Sequence, residues 1–156
     1  MGDIMKKSLK VEPIENGTVI DHIKQGKALN VYNALNIKKD KTITIAMNVP
    51  SGKNHKKDIL KIEGIELSKY DVDKISLISP NATINIIKNK IVINKFKVEI
   101  PNTIEGILKC TNPNCITNME NVAGKFEVED REPLKIRCVY CEKFLNSIEV
   151  RNIREA

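Results

Sequence analysis

The chain has 156 residues, 41% of them hydrophobic and 29% charged, and a net charge of +6. That is the composition of one ordinary globular domain or two small ones, not of a disordered or fibrous chain. No apolar run approaches the ~20 residues that a membrane-spanning helix needs, and no apolar signal core follows Met1-Gly-Asp-Ile-Met5-Lys-Lys, so a cytoplasmic protein is expected, with Met5 as an alternative natural start.

Residues 1–10 read as a loosely attached arm. Gly17-Thr-Val-Ile-Asp-His-Ile23 is rich in β-branched residues and predicts a strand. Residues 25–36 carry Ala28, Val31, Tyr32 and Leu35 at helical spacing. From Thr42 to Val49 the pattern alternates, with Ile43, Ile45, Met47 and Val49 on one face, as in a half-buried strand. Pro50 to Asn54 is a loop, Asp58 to Glu63 a third strand, and Gly64 ends it. Ser68 is placed to cap a helix with Val72, Ile75 and Ile78 on one face and with Asp71 and Asp73 near its positive end. Pro80 and Asn81 stop that helix. Ala82 to Ile87 and Ile91 to Val98 then form two strands joined by a tight Asn89-Lys90 turn. The order β-α-β-β-α-β plus one strand predicts an α+β fold, a ferredoxin-like βαββαβ domain over residues 11–101 with two helices on one sheet face.

Charge and cysteine content change near Pro101-Asn102-Thr103. Residues 1–102 hold 18 lysines and no arginine against 11 acids, a net of +7, while residues 103–156 sum to −1. The positive potential belongs to the first part and suits an anionic ligand there. The second part holds all four cysteines: Cys110-Thr-Asn-Pro-Asn-Cys115, then 22 residues, then Cys138-Val-Tyr-Cys141. Two short loops of this kind can each give two thiolates to a tetrahedral Zn²⁺ ion. Between them Phe126 and Val128, then Leu134 and Ile136, alternate as strand residues. Residues 102–156 therefore predict a small zinc-ribbon-like β domain, one structural Zn²⁺ per chain compensating for a core too small to be stable alone. Four protein ligands leave no open position for catalysis by the metal.

Nothing in the chain assembles a catalytic motif. His22 and His55 are the only histidines. Asp21 and His22 are adjacent on a strand and are expected to point to opposite faces. Neither a Walker loop nor a dinucleotide glycine fingerprint occurs, and Ser51-Gly52-Lys53 is too short to be a phosphate cradle.

Three stretches carry a family resemblance: Glu12-Pro-Ile-Glu-Asn-Gly-Thr-Val-Ile-Asp-His-Ile23, Asn48-Val-Pro-Ser-Gly52 and Lys57-Asp-Ile-Leu-Lys-Ile-Glu63. With Ala82-Thr-Ile-Asn85, they resemble the allosteric domain of the aspartate carbamoyltransferase regulatory chain. Cys110 to Ile116 and Cys138-Val-Tyr-Cys-Glu-Lys143 resemble that family's zinc domain, and the lysine- and isoleucine-rich composition suggests an archaeal member. The resemblance implies a non-catalytic chain of pyrimidine biosynthesis. Such a chain dimerises through its first domain, binds CTP, UTP and ATP there, and docks on trimers of the catalytic chain through its zinc domain. The positions that match the effector site are Pro13, Ile14, Asp21, His22, Ile59, Lys61, Asn85, Ile87, Val92 and Lys95. Those that match catalytic-chain contacts are Asn112, Asn114, Tyr140 and Glu142. Pro13 and Lys90 depart from residues common in the family, which leaves nucleotide preference open, and Val139 stands where some members carry Lys, which implies a less charged docking surface.

The main rival is a nucleic-acid-binding zinc ribbon, favoured by the pI near 9.1. Against it, the cysteine-bearing part is net acidic, and three Tyr and three Phe supply no stacking platform. No membrane or nucleic-acid partner is expected.

Overall fold

The computed structural model describes residues 14–145 and Ile153. The arm read over residues 1–10 lies outside them. The first unit contains β1 (Gly17–Lys24), β2 (Ile43–Pro50), β3 (Lys56–Glu63), β4 (Thr83–Lys88) and β5 (Ile91–Lys97). These strands form one sheet in the order β2-β3-β1-β4-β5, with every pair antiparallel. Helices α1 (Ala28–Leu35) and α2 (Lys69–Ile78) follow β1 and β3 in the chain, which gives the βαββαβ order with β5 added. Among the described residues no helix is long and apolar enough to cross a membrane.

Alternation sets the two faces of this sheet. Ile20 of β1, Leu60 and Ile62 of β3 and Ile84 of β4 are buried on one face. Val19, Asp21, Ile59, Lys61 and Asn85 lie on the other. The hairpin between β4 and β5 turns on Asn89 and Lys90, both at positive φ (52° and 67°), the conformation that suits the twist of a two-residue turn.

Two expectations fail at bulges. β2 loses register with β3 between Ala46 and Val49, and Asn48 takes a φ of 61°. The extra residue interrupts the alternation, so Met47 is 40% exposed instead of continuing the row of Ile43 and Ile45. β1 has a similar break between Ile20 and Ile23, and His22 has a φ of 56°. Its ring therefore comes within 3.9 Å of the Asp21 carboxylate rather than pointing to the far face. The first helix also starts later than residue 25. Gly26, at a φ of 84°, occupies the preceding turn.

The second unit comprises Leu29–Ile37, Leu67–Pro80 and the chain from Val98 onward. It carries β6 (Thr103–Glu105), α3 (Ile116–Met119), β7 (Lys125–Arg131), β8 (Leu134–Cys138) and β9 (Phe144–Leu145), with the strands in a sheet of that order. Ser68 caps α2 as expected. Its hydroxyl oxygen accepts from the Asp71 N–H at 3.2 Å, and Asp71 accepts from the Ser68 N–H at 3.1 Å, a reciprocal capping box. The helix face is broader than Val72, Ile75 and Ile78, because Lys74 and Leu77 are buried too. The Lys74 ammonium donates to the Ala34 carbonyl at 2.9 Å and lies 4.4 Å from the centre of the Tyr70 ring. The Tyr70 hydroxyl donates to the Gly106 carbonyl at 3.0 Å. A charge at the C-terminal end of α1 and over an aromatic face is compensated on both sides, although burial still lowers its pKa.

Gly17 begins β1 at a φ of 142°, with the place for a Cβ only 2.2 Å from the Ile62 carbonyl oxygen. Gly17→Ala forces apart two paired strands at the centre of the sheet. It is expected to lower stability by about 3 kcal/mol, read as a fall in the midpoint of chemical denaturation. An unchanged midpoint would contradict this tight approach.

Candidate functional site

The cysteines converge. All four Sγ atoms lie within 4.8 Å of one another. Cys110 and Cys141 are 3.6 Å apart and Cys115 and Cys138 are 3.8 Å apart. A tetrahedral ion with metal–sulfur bonds of ~2.3 Å places its sulfurs about 3.8 Å from each other, and a disulfide needs ~2.05 Å. The four thiols are free, and their spacing fits one metal ion.

Local turns aim them there. The Asn112 carbonyl accepts the Cys115 N–H at 3.0 Å, and the Asn112 side chain accepts the Asn114 N–H at 3.1 Å. The Asn118 amide donates to the carbonyls of Cys110 and Asn112 at 2.8 and 2.7 Å. In the second loop Glu142, at a φ of 65°, returns its N–H to the Cys138 carbonyl at 2.9 Å. The Thr117 hydroxyl donates to the Cys115 sulfur at 3.1 Å. The cysteines share a core with Ala34, Leu77, Ile104, Phe126 and Ile136. Burial pushes the Cys110 thiol up to about 12 and raises Cys138 as well. Burial also pushes Cys141 upward, but the Lys143 N–H, Asn112 and the neighbouring thiols outweigh it and bring it down to about 7. A bound cation would replace these protons.

Asn114, Tyr140 and Glu142 are exposed on the outer side of the two loops, and Asn112 is half-buried. Beside them Ile116 and Met119 of α3 are exposed as well, Met119 to 71%. Neither residue stands out in the sequence. A short Ile-Thr-Asn-Met segment after a cysteine carries no periodicity.

The second constellation lies on the open face of the five-stranded sheet. Cross-strand pairing puts Lys61 opposite Val19, Val19 opposite Asn85, and Asn85 opposite Lys95. These four residues form one row across β3, β1, β4 and β5. With strands ~4.8 Å apart, the row spans about 14 Å. A bulge between Ile86 and Ile87 then pairs Ile87 with Val92 in the neighbouring row. Val92 and Lys95 thus share this face despite odd spacing in the chain. Lys61 is 9% exposed and Ile87 is buried, whereas Lys95 and Val92 project outward.

Asp21 sits further along the same face. Its carboxylate pairs with Lys57 at 2.8 Å and accepts the His22 N–H at 2.6 Å. Burial alone would raise its pKa; Lys57 and His22 outweigh that and hold it below the usual carboxylate range. The His22 ring bonds to the Thr83 hydroxyl at 2.9 Å. Ile59 is half-buried beside them. Ile14 is buried, and the next two residues hold the β4–β5 turn, the Glu15 carbonyl accepting from Lys90 and the Asn16 side chain from Asn89. Pro13 lies outside the described residues. Lys57 and Thr83 were missed; the four-residue spacing of Lys57 and Lys61 along one strand was the available signal.

Because the cysteines are part of the second unit's core, metal removal is expected to open that unit. Complete chelation should abolish amide protection in β6 to β9, while protection in β1, β3 and β4 persists. Hydrogen exchange followed by NMR reads both. Retained protection through β7 and β8 without metal would contradict a structural role for the ion.

Two family models match. The allosteric domain of the aspartate carbamoyltransferase regulatory chain matches residues 9–99, and the metal binding domain of the same chain matches residues 102–151. The aspartate carbamoyltransferase regulatory chain of Methanococcus aeolicus is 95% identical over 150 residues, covering 96% of this chain and 97% of its own. That of Methanocaldococcus jannaschii is 66% identical over 93% of this chain and 97% of its own. That of Thermococcus kodakarensis is 54% identical over 94% and 97%. Both domains are matched in order and over nearly their whole length: the chain belongs to the family of aspartate carbamoyltransferase regulatory chains, the non-catalytic subunits of that enzyme.

Proposed function

We propose that this chain binds nucleoside triphosphates on the open face of its first sheet. The resulting bias passes to catalytic chains of aspartate carbamoyltransferase through the metal-binding domain. One observation carries the reading: the Lys61–Val19–Asn85–Lys95 row brings two lysines and an amide from three strands to one surface. Lysine ammoniums neutralise phosphate oxygens as mobile point charges. Asp21 is placed to accept from ribose hydroxyls and His22 to contribute a further donor. Ile14, Ile87 and Val92 offer backbone and apolar surface to a base, with Pro13 as the remaining member of the set. CTP, UTP and ATP are the ligands proposed.

The ion proposed for the four cysteines is a single Zn²⁺. A full thiolate shell gives it a structural role, because no position is left for water or substrate. In this reading residues 11–101 act as the effector domain and residues 102–156 as the docking domain. Asn112, Asn114, Tyr140 and Glu142 meet the catalytic trimer, and exposed Ile116 and Met119 add apolar area to that surface. Ile91 and Ile93 stand exposed on the edge strand β5, a surface that pairing with a second regulatory chain would protect. A reducing cytoplasm suits four free thiols. By linkage, a nucleotide that shifts the complex between two states has its own affinity shifted by substrate analogues to the same degree.

The test is calorimetric titration of the metal-loaded chain with CTP, UTP and ATP. Lys95→Met should weaken binding by about 10- to 100-fold, the effect of losing a hydrogen bond to a charged group. Lys109→Met, in the second unit, should change it less than about twofold. Equal affinities in both variants, or no binding to the parent, would contradict the site.

A further inference from the structure

β3 is flanked by β1 and β2, and the two neighbours break register against adjacent residues of β3. On one side Ile20 pairs with Leu60 but Ile23 pairs with Asp58. On the other side Ala46 pairs with Ile59 but Val49 pairs with Lys57. β1 therefore holds one residue more than β3 opposite Ile59, and β2 one residue more opposite Asp58. Each bulge contains a non-glycine residue in the left-handed region, His22 in β1 and Asn48 in β2.

A bulge leaves backbone N–H groups without ladder partners, and a buried unpaired N–H is costly. In β1 the Asp21 carboxylate accepts the His22 N–H, and in β2 the need is met by Asp58. Its side chain is fully buried, on the opposite face of β3 from Lys57 and Lys61. Oδ1 accepts the Asn48 N–H at 3.0 Å. Oδ2 accepts the N–H groups of Gly26 at 2.9 Å and Ala28 at 3.1 Å. One carboxylate thus ties the bulge of β2 to the turn that leaves β1 and to the first residue of α1. An exposed bond from the Gln25 amide to the Asn48 side chain, 2.8 Å, joins the same two segments.

The bulge in β1 decides where His22 lies. In a regular strand its ring and the Asp21 carboxylate would be on opposite faces. With the extra residue the ring reaches Thr83 and lies beside Asp21. We propose that Asp58 is a positioning residue for the lysine face: by anchoring the turn at Gly26 and Ala28 to the β2 bulge, its buried carboxylate fixes the chain where it leaves the β1 bulge and so holds His22 beside Asp21. Its effect on a ligand rests on the nucleotide reading above; its effect on His22 does not.

A carboxylate suits this task because both oxygens accept and neither carries a hydrogen. Asp58→Asn keeps the shape but turns a donor toward either Asn48 or the Gly26 and Ala28 pair. The test uses the full metal-loaded chain without nucleotide. The ring signals of the two histidines are followed by NMR, His55 in the β2–β3 loop serving as the internal reference. In Asp58→Asn the His22 signals should move and lose their contact with Thr83, while those of His55 stay. CTP or ATP affinity should then fall by at least about tenfold. A folded variant whose His22 signals match the parent's overturns the proposal. If the variant does not fold, amide exchange in the parent decides. The N–H groups of Gly26, Ala28 and Asn48 should exchange as slowly as that of Ile20, and exchange more than a hundredfold faster overturns it. A parent that binds neither nucleotide removes the ligand reading and leaves the His22 comparison intact.

Discussion

Strand β1 is hydrogen-bonded along both edges, and the register of those two ladders determines which residues share a face. Val19 stands between Lys61 and Asn85, and the β4–β5 pairing adds Lys95 to the same row. A slip by one residue in any of these ladders would send a lysine to the buried side, where Ile20, Leu60 and Ile84 pack. The basic face therefore follows from the same alternation that builds the core. Gly17 and the Asn89-Lys90 turn fix the two ends of that register, one by close backbone approach and one by turn geometry.

The second unit depends on a different constraint. Among the described residues its sheet has four strands, and β6 has only three residues, so apolar burial along it is limited. The four sulfurs stand at the centre of its core rather than at its rim. An ion held there joins two loops that are 22 residues apart in the chain, and its binding energy adds directly to the stability of the fold. The helix residues Ala34 and Leu77 belong to the same cluster, and Lys74 and Tyr70 tie α1, α2 and Gly106 together by polar contacts. The cysteine cluster and the two helices are thus parts of one packed unit.

Much of this was legible because it is local. The Cys-x4-Cys and Cys-x2-Cys spacings, the Ser68 cap and the Asn-Lys turn each announce themselves within a few residues. The order of elements followed from periodicity, and the positions proposed to bind an effector came from family resemblance rather than from spacing. What was not legible depends on long-range pairing. The alternation of β2 reads cleanly through Met47, yet a bulge ends it, and a bulge has no reliable signature when the residue at positive φ is Asn or His rather than Gly. Asp21 and His22 were read on opposite faces for the same reason. Asp58 and Lys74 resemble surface charges in a sequence rich in both signs. Their burial becomes visible only when the N–H groups and the carbonyl they satisfy, tens of residues away, are brought beside them.

The proposed role makes the chain one part of a larger allosteric enzyme, with ligand at one unit and partner at the other. Native mass spectrometry of the metal-loaded chain, mixed with the aspartate carbamoyltransferase catalytic chain of the same organism, addresses that claim most directly. A regulatory chain docked through its metal-binding domain gives a complex containing both chains that disappears when the metal is removed. Two folded, metal-loaded proteins that remain separate at micromolar concentration would contradict it.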